Sequence, residues 1–317
     1  MTDSFNLMST TADVLRNVDL HGKRFLVTGV SSGIGCQTAR ALAARGAEVI
    51  GTARDRAKAK DLTEKRGGKI DVVELDLADL GSVRHCAAAL VADGRRLDAI
   101  IANAGVMALP LQRTKDGFEA QLGINHLGHF VLVNRIASLL SDGGRLVTVS
   151  SNGHRWADVN IDDPNFEQRP YDPWVSYGGS KTAVSLFAVE FDRRHRARGV
   201  RACSLMPGVA NTGLAKHLSQ GDLAALGTRI AAELGTAGQS FAFKTIPQVA
   251  ATSVWAAVVA NAEDIGGRYC QDCQVAPVDD APGIRFGVMS HALDADRAKR
   301  LWAKSEELVQ ERFGETV

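Results

Sequence analysis

Short apolar runs alternate with longer stretches of helical periodicity through the first two-thirds of the chain. Phe25–Thr28, Glu48–Ala53, Ile70–Leu75, Asp98–Ala102, Gly144–Val149 and Val200–Met206 read as strands. Between them, apolar residues at helical spacing predict helices over Ile34–Arg45, Leu80–Asp93, Lys115–Leu140 and Ser176–Arg198. Strands alternating with helices of this length imply a parallel sheet with helices on both faces, a doubly wound α/β fold of the Rossmann kind. Two further helices, Ile246–Ala260 and Asp294–Arg312, would complete the outer layer.

No Pro/Ser-rich linker, low-complexity run or internal repeat interrupts this pattern, so one domain over 1–317 is expected. It carries an N-terminal extension (1–20) and a C-terminal extension (275–317). Two stretches break the alternation. Residues 152–175 are rich in Trp, Asp, Pro and Asn; residues 211–245 are largely Ala, Leu and Gly with helical periodicity. Both follow strand C-termini, where open α/β sheets bind ligands, and are expected to enclose a substrate.

The first strand-to-helix turn is Thr28-Gly29-Val30-Ser31-Ser32-Gly33-Ile34-Gly35. Glycines at such a turn allow the backbone amides to approach a pyrophosphate at the helix N-terminus. The second strand ends Thr52-Ala53-Arg54-Asp55, with Ala53 where a ribose-binding acid would stand. Arg54 follows and could fork onto a 2′-phosphate, which favours NADP(H); Asp55 leaves NAD(H) open.

Tyr177-Gly-Gly-Ser-Lys181 places a tyrosine and a lysine on one helical face. A nearby ammonium favours the phenolate, bringing the tyrosine into use as an acid or base toward an alcohol oxygen.

Together these residues resemble the short-chain dehydrogenase/reductase family over about Leu20–Gln274, and more closely its retinol dehydrogenase-like branch. Asn-His-Leu-Gly-His-Phe around Asn125, the long Ser151-to-Tyr177 interval and Tyr-Gly-Gly-Ser-Lys-Thr carry the branch likeness. The resemblance implies a catalytic tetrad of Asn125, Ser151, Tyr177 and Lys181. Tyr177 would exchange the proton and Ser151 would stabilise the substrate oxygen. Lys181 would lower the tyrosine pKa and hold the nicotinamide ribose, and Asn125 would position a water leading to Lys181.

It also implies cofactor contacts from Gly29, Ser31, Ser32, Gly33, Ile34 and Gly35, from the adenine-contacting pair Asp76-Leu77, and from Asn103-Ala104-Gly105. Pro207, Gly208 and Thr212 would touch the nicotinamide amide. The implied activity is hydride transfer between an alcohol and a carbonyl compound, with a homo-oligomer (dimer or tetramer) as the assembly. The other readings are a non-catalytic NADP(H)-binding sensor or scaffold, which would not need the tetrad, and an epimerase or dehydratase, which would want a larger C-terminal domain. Leu214, Leu218, Leu223, Leu226, Ile230 and Leu234, with Trp156, Phe166 and Trp174, are candidates for an apolar substrate pocket.

Composition narrows the partners. The 317 residues are 45% hydrophobic and 23% charged, with a net charge of +1 and interspersed signs. That balance argues against nucleic acid. The chain lacks an uninterrupted apolar run of membrane-spanning length and an apolar segment near its start, so a cytoplasmic small-molecule enzyme is expected. Five cysteines point to a reducing compartment, and Cys270-Gln-Asp-Cys273 to packing residues, with no metal.

Overall fold

The computed structural model describes residues 5–59, 62, 69–210, 218, 220–236 and 243–314. An eight-stranded sheet runs β3-β2-β1-β4-β5-β6-β7-β8. The strands are β1 (Arg24–Val27), β2 (Glu48–Ala53), β3 (Lys69–Glu74), β4 (Leu97–Ala102), β5 (Leu140–Val149), β6 (Arg201–Met206), β7 (Tyr269–Gln271) and β8 (Gln274–Val275). Every pairing is parallel except β7 with β8. The order reverses at β1, which lies between β2 and β4, and a crevice forms at the strand C-termini there.

Sequence pattern explains which strands sit inside. All four residues of β1 are buried, as a strand covered by helices on both faces requires. Alternate residues divide between the faces: Leu26, Ile100 and Leu146 join one core cluster, and Phe25, Val27, Ile101 and Val147 the other. Edge strand β3 instead alternates exposed Lys69 and Asp71 with buried Ile70 and Val72.

The helix Pro173–His195 crosses the first face; Asp172 caps its start by accepting from Trp174 N and Val175 N, and Pro173 occupies its first turn. The C-terminal helix Ala295–Val309, capped by Asp294, lays Trp302 against Phe130 with ring centroids 5.0 Å apart.

One predicted helix is shorter and less regular than expected. Of Lys115–Leu140, residues up to Gly117 form a turn with Gly117 at φ 87°, and helix begins at Ala120 behind the cap residue Glu119. It passes through a π turn, Gly123–Leu127, before resuming over Gly128–Ile136. Asn125 lies inside that π turn, a local widening that redirects its side chain and carbonyl. The predicted helix Ile246–Ala260 is likewise broken, into Ile246–Val249, Ala251–Val254 and a π turn at Trp255–Val259. No helix among the described residues is long and apolar enough to cross a membrane.

Candidate active site

A cleft of about 1440 Å³ opens along the C-terminal ends of the strands. At one end stands the glycine turn. Gly29 and Gly33 adopt φ 74° and 59°, which side chains rarely tolerate. A Cβ on Gly35 would collide with Gly29 O and Asn103 Nδ2, so the turn can close only around glycine.

The helix it opens, Gly33–Ala43, has Ser32 at its N-cap with no side-chain capping bond, so that serine leaves the first-turn amides available to an anion. Asn103 holds the turn in place, its Nδ2 donating to Thr28 O at 2.8 Å. Asn103 N and Ala104 N both donate to Thr28 Oγ1 at 2.9 Å. Ser31, Ser32, Gly33, Ile34, Arg54, Asp76, Leu77 and Gly105 all line the cleft, as do Pro207 and Gly208. These residues fit an elongated dinucleotide phosphate. Thr212, Leu214 and the side chain of Leu234 lie outside the described residues.

At the cleft's inner end Ser151, Tyr177 and Lys181 converge. The Ser151 side chain hydrogen-bonds that of Tyr177, and Ser151 Oγ also accepts from Gly153 N at 3.0 Å. Neighbouring Ser150 is spent on structure, its Oγ donating to Lys181 O at 2.9 Å. Burial pushes the Tyr177 hydroxyl up to about 12, opposed in part by the Ser151 bond. Burial also pulls Lys181 down to about 8.

Burial is the largest influence on the phenol in this structure. The Lys181 Nζ lies 5.8 Å from the tyrosine ring centroid and donates to Val149 O at 2.9 Å.

The Asn125 side chain is engaged within the protein. Its Oδ1 accepts from Val106 N at 2.8 Å, while its Nδ2 donates to Val106 O at 3.0 Å and Ser180 Oγ at 2.9 Å. Its carbonyl lies 3.1 Å from His129 Nδ1. The side chain therefore braces the loop after β4 against the tyrosine helix. His129 is a buried bracket: its Nε2 is 2.9 Å from Thr28 Oγ1. Because Asn125 O can only accept, Nδ1 carries the proton and Thr28 donates to Nε2. Burial holds His129 neutral by lowering its pKa to about 4.

The apolar end of the cleft is lined by Val106, Trp156, Leu223, Leu226, Ile230 and Phe286. Trp174 stands behind this wall, edge-on to Trp156 at 5.4 Å. Phe166 does not reach it, packing on Tyr171 beneath the Arg169 guanidinium. Leu218 is not among the lining residues either.

Sequence reasoning missed several contributors, among them Asn6 and Leu7 from the N-terminal extension and Ile284, Arg285 and Phe286 from the C-terminal one. Neither stretch carries a glycine turn or reactive pair that could have signalled it. Cys270 and Cys273 are buried free thiols around the β7–β8 turn, Cys270 hydrogen-bonded to Cys203 and Cys273 N to Thr252 Oγ1.

A family model described as short chain dehydrogenase matches residues 23–223. Over 306 residues the chain is 38% identical to short-chain dehydrogenase/reductase prx1 of Penicillium roqueforti, covering 92% of this chain and 88% of that protein. It is 36% identical over 307 residues to retinol dehydrogenase 13 of Homo sapiens, covering 91% and 85%.

Among solved structures, an uncharacterized protein from Mycobacterium Paratuberculosis superposes with a TM-score of 0.73 at 35% identity, over 96% of this chain and 99% of that one. A short chain dehydrogenase from Burkholderia cenocepacia J2315 in complex with NADP gives 0.62 at 26% identity, over 80% and 96%. Identity at the level of prx1 along nearly the whole chain reflects shared descent rather than shared architecture alone: the chain belongs to the short-chain dehydrogenase/reductase family, in its retinol dehydrogenase-like branch, and is an oxidoreductase acting on CH–OH groups.

Proposed function

We propose that this oxidoreductase uses NADP(H) to interconvert an alcohol and a carbonyl compound with a hydrophobic or aromatic frame. The observation that carries the reading is one cleft joining a dinucleotide turn, the Ser151–Tyr177–Lys181 cluster and an apolar wall. The Burkholderia relative is in complex with NADP, and the glycine turn here suits a nicotinamide dinucleotide.

Arg54 is an exposed cation on the cleft lining, with no hydrogen bond or ion pair to it among the described residues, and Ala53 offers no carboxylate to a ribose. Asp55 instead closes its own turn, its Oδ1 accepting from Ala57 N at 2.9 Å, and is not among the lining residues. That arrangement favours NADP(H) over NAD(H).

The bound cofactor supplies or accepts the hydride. In reduction, Tyr177 donates its proton to the substrate oxygen as negative charge grows there. A phenol with its pKa near 12 is protonated at neutral pH, the form this step needs. Ser151 donates a hydrogen bond to the same oxygen from a fixed turn. Lys181, buried beside them, would hold positive charge near the developing phenolate and would be the residue to hold the nicotinamide ribose. Asn125 contributes by fixing the loop that carries Gly105, whose Cα faces Asn125 Oδ1 and Lys181 Nζ. Alcohol oxidation runs through the same groups in reverse.

Replacing Tyr177 with Phe keeps the ring and removes the proton. NADPH-linked reduction of an aromatic ketone should fall by about 10²–10⁴-fold, the usual contribution of a positioned acid, while NADPH affinity by fluorescence is unchanged. Turnover retained in the folded Tyr177→Phe protein would dismiss the mechanism.

A further inference from the structure

Three consecutive residues just after Ser151 tie its turn to other parts of the fold, two of them to segments that line the cleft. His154 Nδ1 lies 2.7 Å from Ser151 O, and its Nε2 accepts from Met289 N at 3.1 Å. Trp156 Nε1 donates to Glu233 Oε2 at 3.1 Å, tying down the helix Gln220–Thr236, which lends Leu226 and Ile230 to the apolar wall.

Between them Arg155 gathers carbonyls from one loop. Its Nε donates to Gly283 O at 2.7 Å, and its Nη2 to Ala281 O at 2.6 Å and Asp279 O at 3.0 Å. Its Nη1 reaches Gly287 O at 3.4 Å.

That loop has no regular structure of its own. Val288 N donates to Pro277 O at 2.9 Å and Asp279 N to Val288 O at 2.8 Å, which closes its neck, and Gly283 and Gly287 take φ 87° and 124° within it. Backbone carbonyls turned toward one another repel unless a donor lies at their centre. The planar guanidinium fork supplies that donor to several acceptors at once, which an ammonium cannot match. The loop brings Ile284 and Phe286 to the cleft, whereas Arg155 itself does not line it.

We propose that Arg155 is a specificity-determining positioning residue. It holds the 279–287 loop as a substrate wall and, being part of the turn that carries Ser151, fixes that wall's distance from the reacting oxygen. The proposal rests on the carbonyl-reducing function proposed above.

It is tested with Arg155→Gln, Arg155→Lys, Phe286→Ala and the double variant Arg155→Gln/Phe286→Ala. Amide hydrogen exchange over 279–287, measured without substrate, should rise in Arg155→Gln and partly in Arg155→Lys. For a bulky aromatic ketone, KM should rise about tenfold or more, the scale of a lost apolar contact, with kcat nearly unchanged. KM for a small aliphatic ketone and the Kd for NADPH should stay as in the parent. The double variant should be no worse than Phe286→Ala, because both changes remove one wall.

Unaltered exchange of the loop in a folded Arg155 variant would overturn the proposal. So would equal losses for both ketones, or multiplying effects in the double variant. Arg155→Lys keeps charge and bulk and serves if the glutamine variant does not fold. A parent protein that reduces no carbonyl would refute the proposed function, while the exchange measurement would still decide whether Arg155 holds the loop.

Discussion

Arg54 and Tyr177 show how much a single side chain decides once its surroundings are set. Arg54 leaves the end of β2 with its neighbour Ala53 buried and its own side chain exposed on the cleft. A charge-assisted bond from it to a 2′-phosphate would be worth about 1.5–3 kcal/mol, or roughly ten- to a hundredfold in affinity. Arg54→Ala should therefore raise the KM for NADPH by about that factor and leave the KM for NADH alone. Steady-state kinetics with both cofactors checks this; equal kcat/KM values that ignore the substitution would remove the case for NADP(H). At Tyr177 the pattern of neighbours was readable from sequence, but the pKa was not. Burial raises it, while the Lys181 ammonium donates to Val149 O.

Among elements, the helix Pro173–His195 and the turn after β5 fit together through missing side chains. A Cβ on Gly178 would lie 2.7 Å from Gly153 O and 2.9 Å from Ala157 N, and one on Gly153 would lie 2.6 Å from the Tyr177 ring. The loop carrying Ser151 can thus rest directly on the helix carrying Tyr177. Gly178→Ala should push that loop away at a cost of about 1–3 kcal/mol, offset by up to about 1 kcal/mol of helix propensity. We expect kcat/KM to drop at least about tenfold with a modest fall in Tm. Full activity in Gly178→Ala would mean that the loop has slack. In sequence Gly178 looks like a mere weak point in a helix, because its reason is a partner loop lying earlier in the chain.

Across the whole molecule, four histidines among the described residues are buried in neutral form. Burial lowers His126 and His154 to about 3 and His129 and His195 to about 4. Their folded pKa values lie below the unfolded value near 6.5, so unfolding takes up protons between about pH 6.5 and 4. Stability from these groups is complete above about pH 6.5 and is lost as pH falls toward their folded values.

Urea unfolding should show ΔG falling below pH 6.5 by up to about 1.4 kcal/mol per pH unit for each histidine. His126 is the one to remove. It lies among Phe130 and Phe187, and Ser305, its partner at 2.7 Å, also donates to Leu301 O. His126→Phe should reduce the acid slope by about one proton's worth; an unchanged slope between pH 7 and 5 would clear this histidine.

Local periodicity and local chemistry were enough for the sequence alone to determine the parallel α/β fold, the glycine turn and the Tyr177–Lys181 pair. Each depends on residues a few positions apart, where strand and helix repeats leave little choice. What the sequence left open needed partners far along the chain. The Asn125 amide is claimed by Val106 and Ser180, the Lys181 ammonium by Val149, and the Arg155 fork by a loop 128 positions away at Gly283. Ile284 and Phe286 belong to a stretch without periodicity, so only the closing of that loop around Arg155 shows that they form a wall. Composition and spacing record what a residue can donate or accept. Which partner uses that capacity is decided only when the folded chain brings distant groups together and burial obliges each to be satisfied.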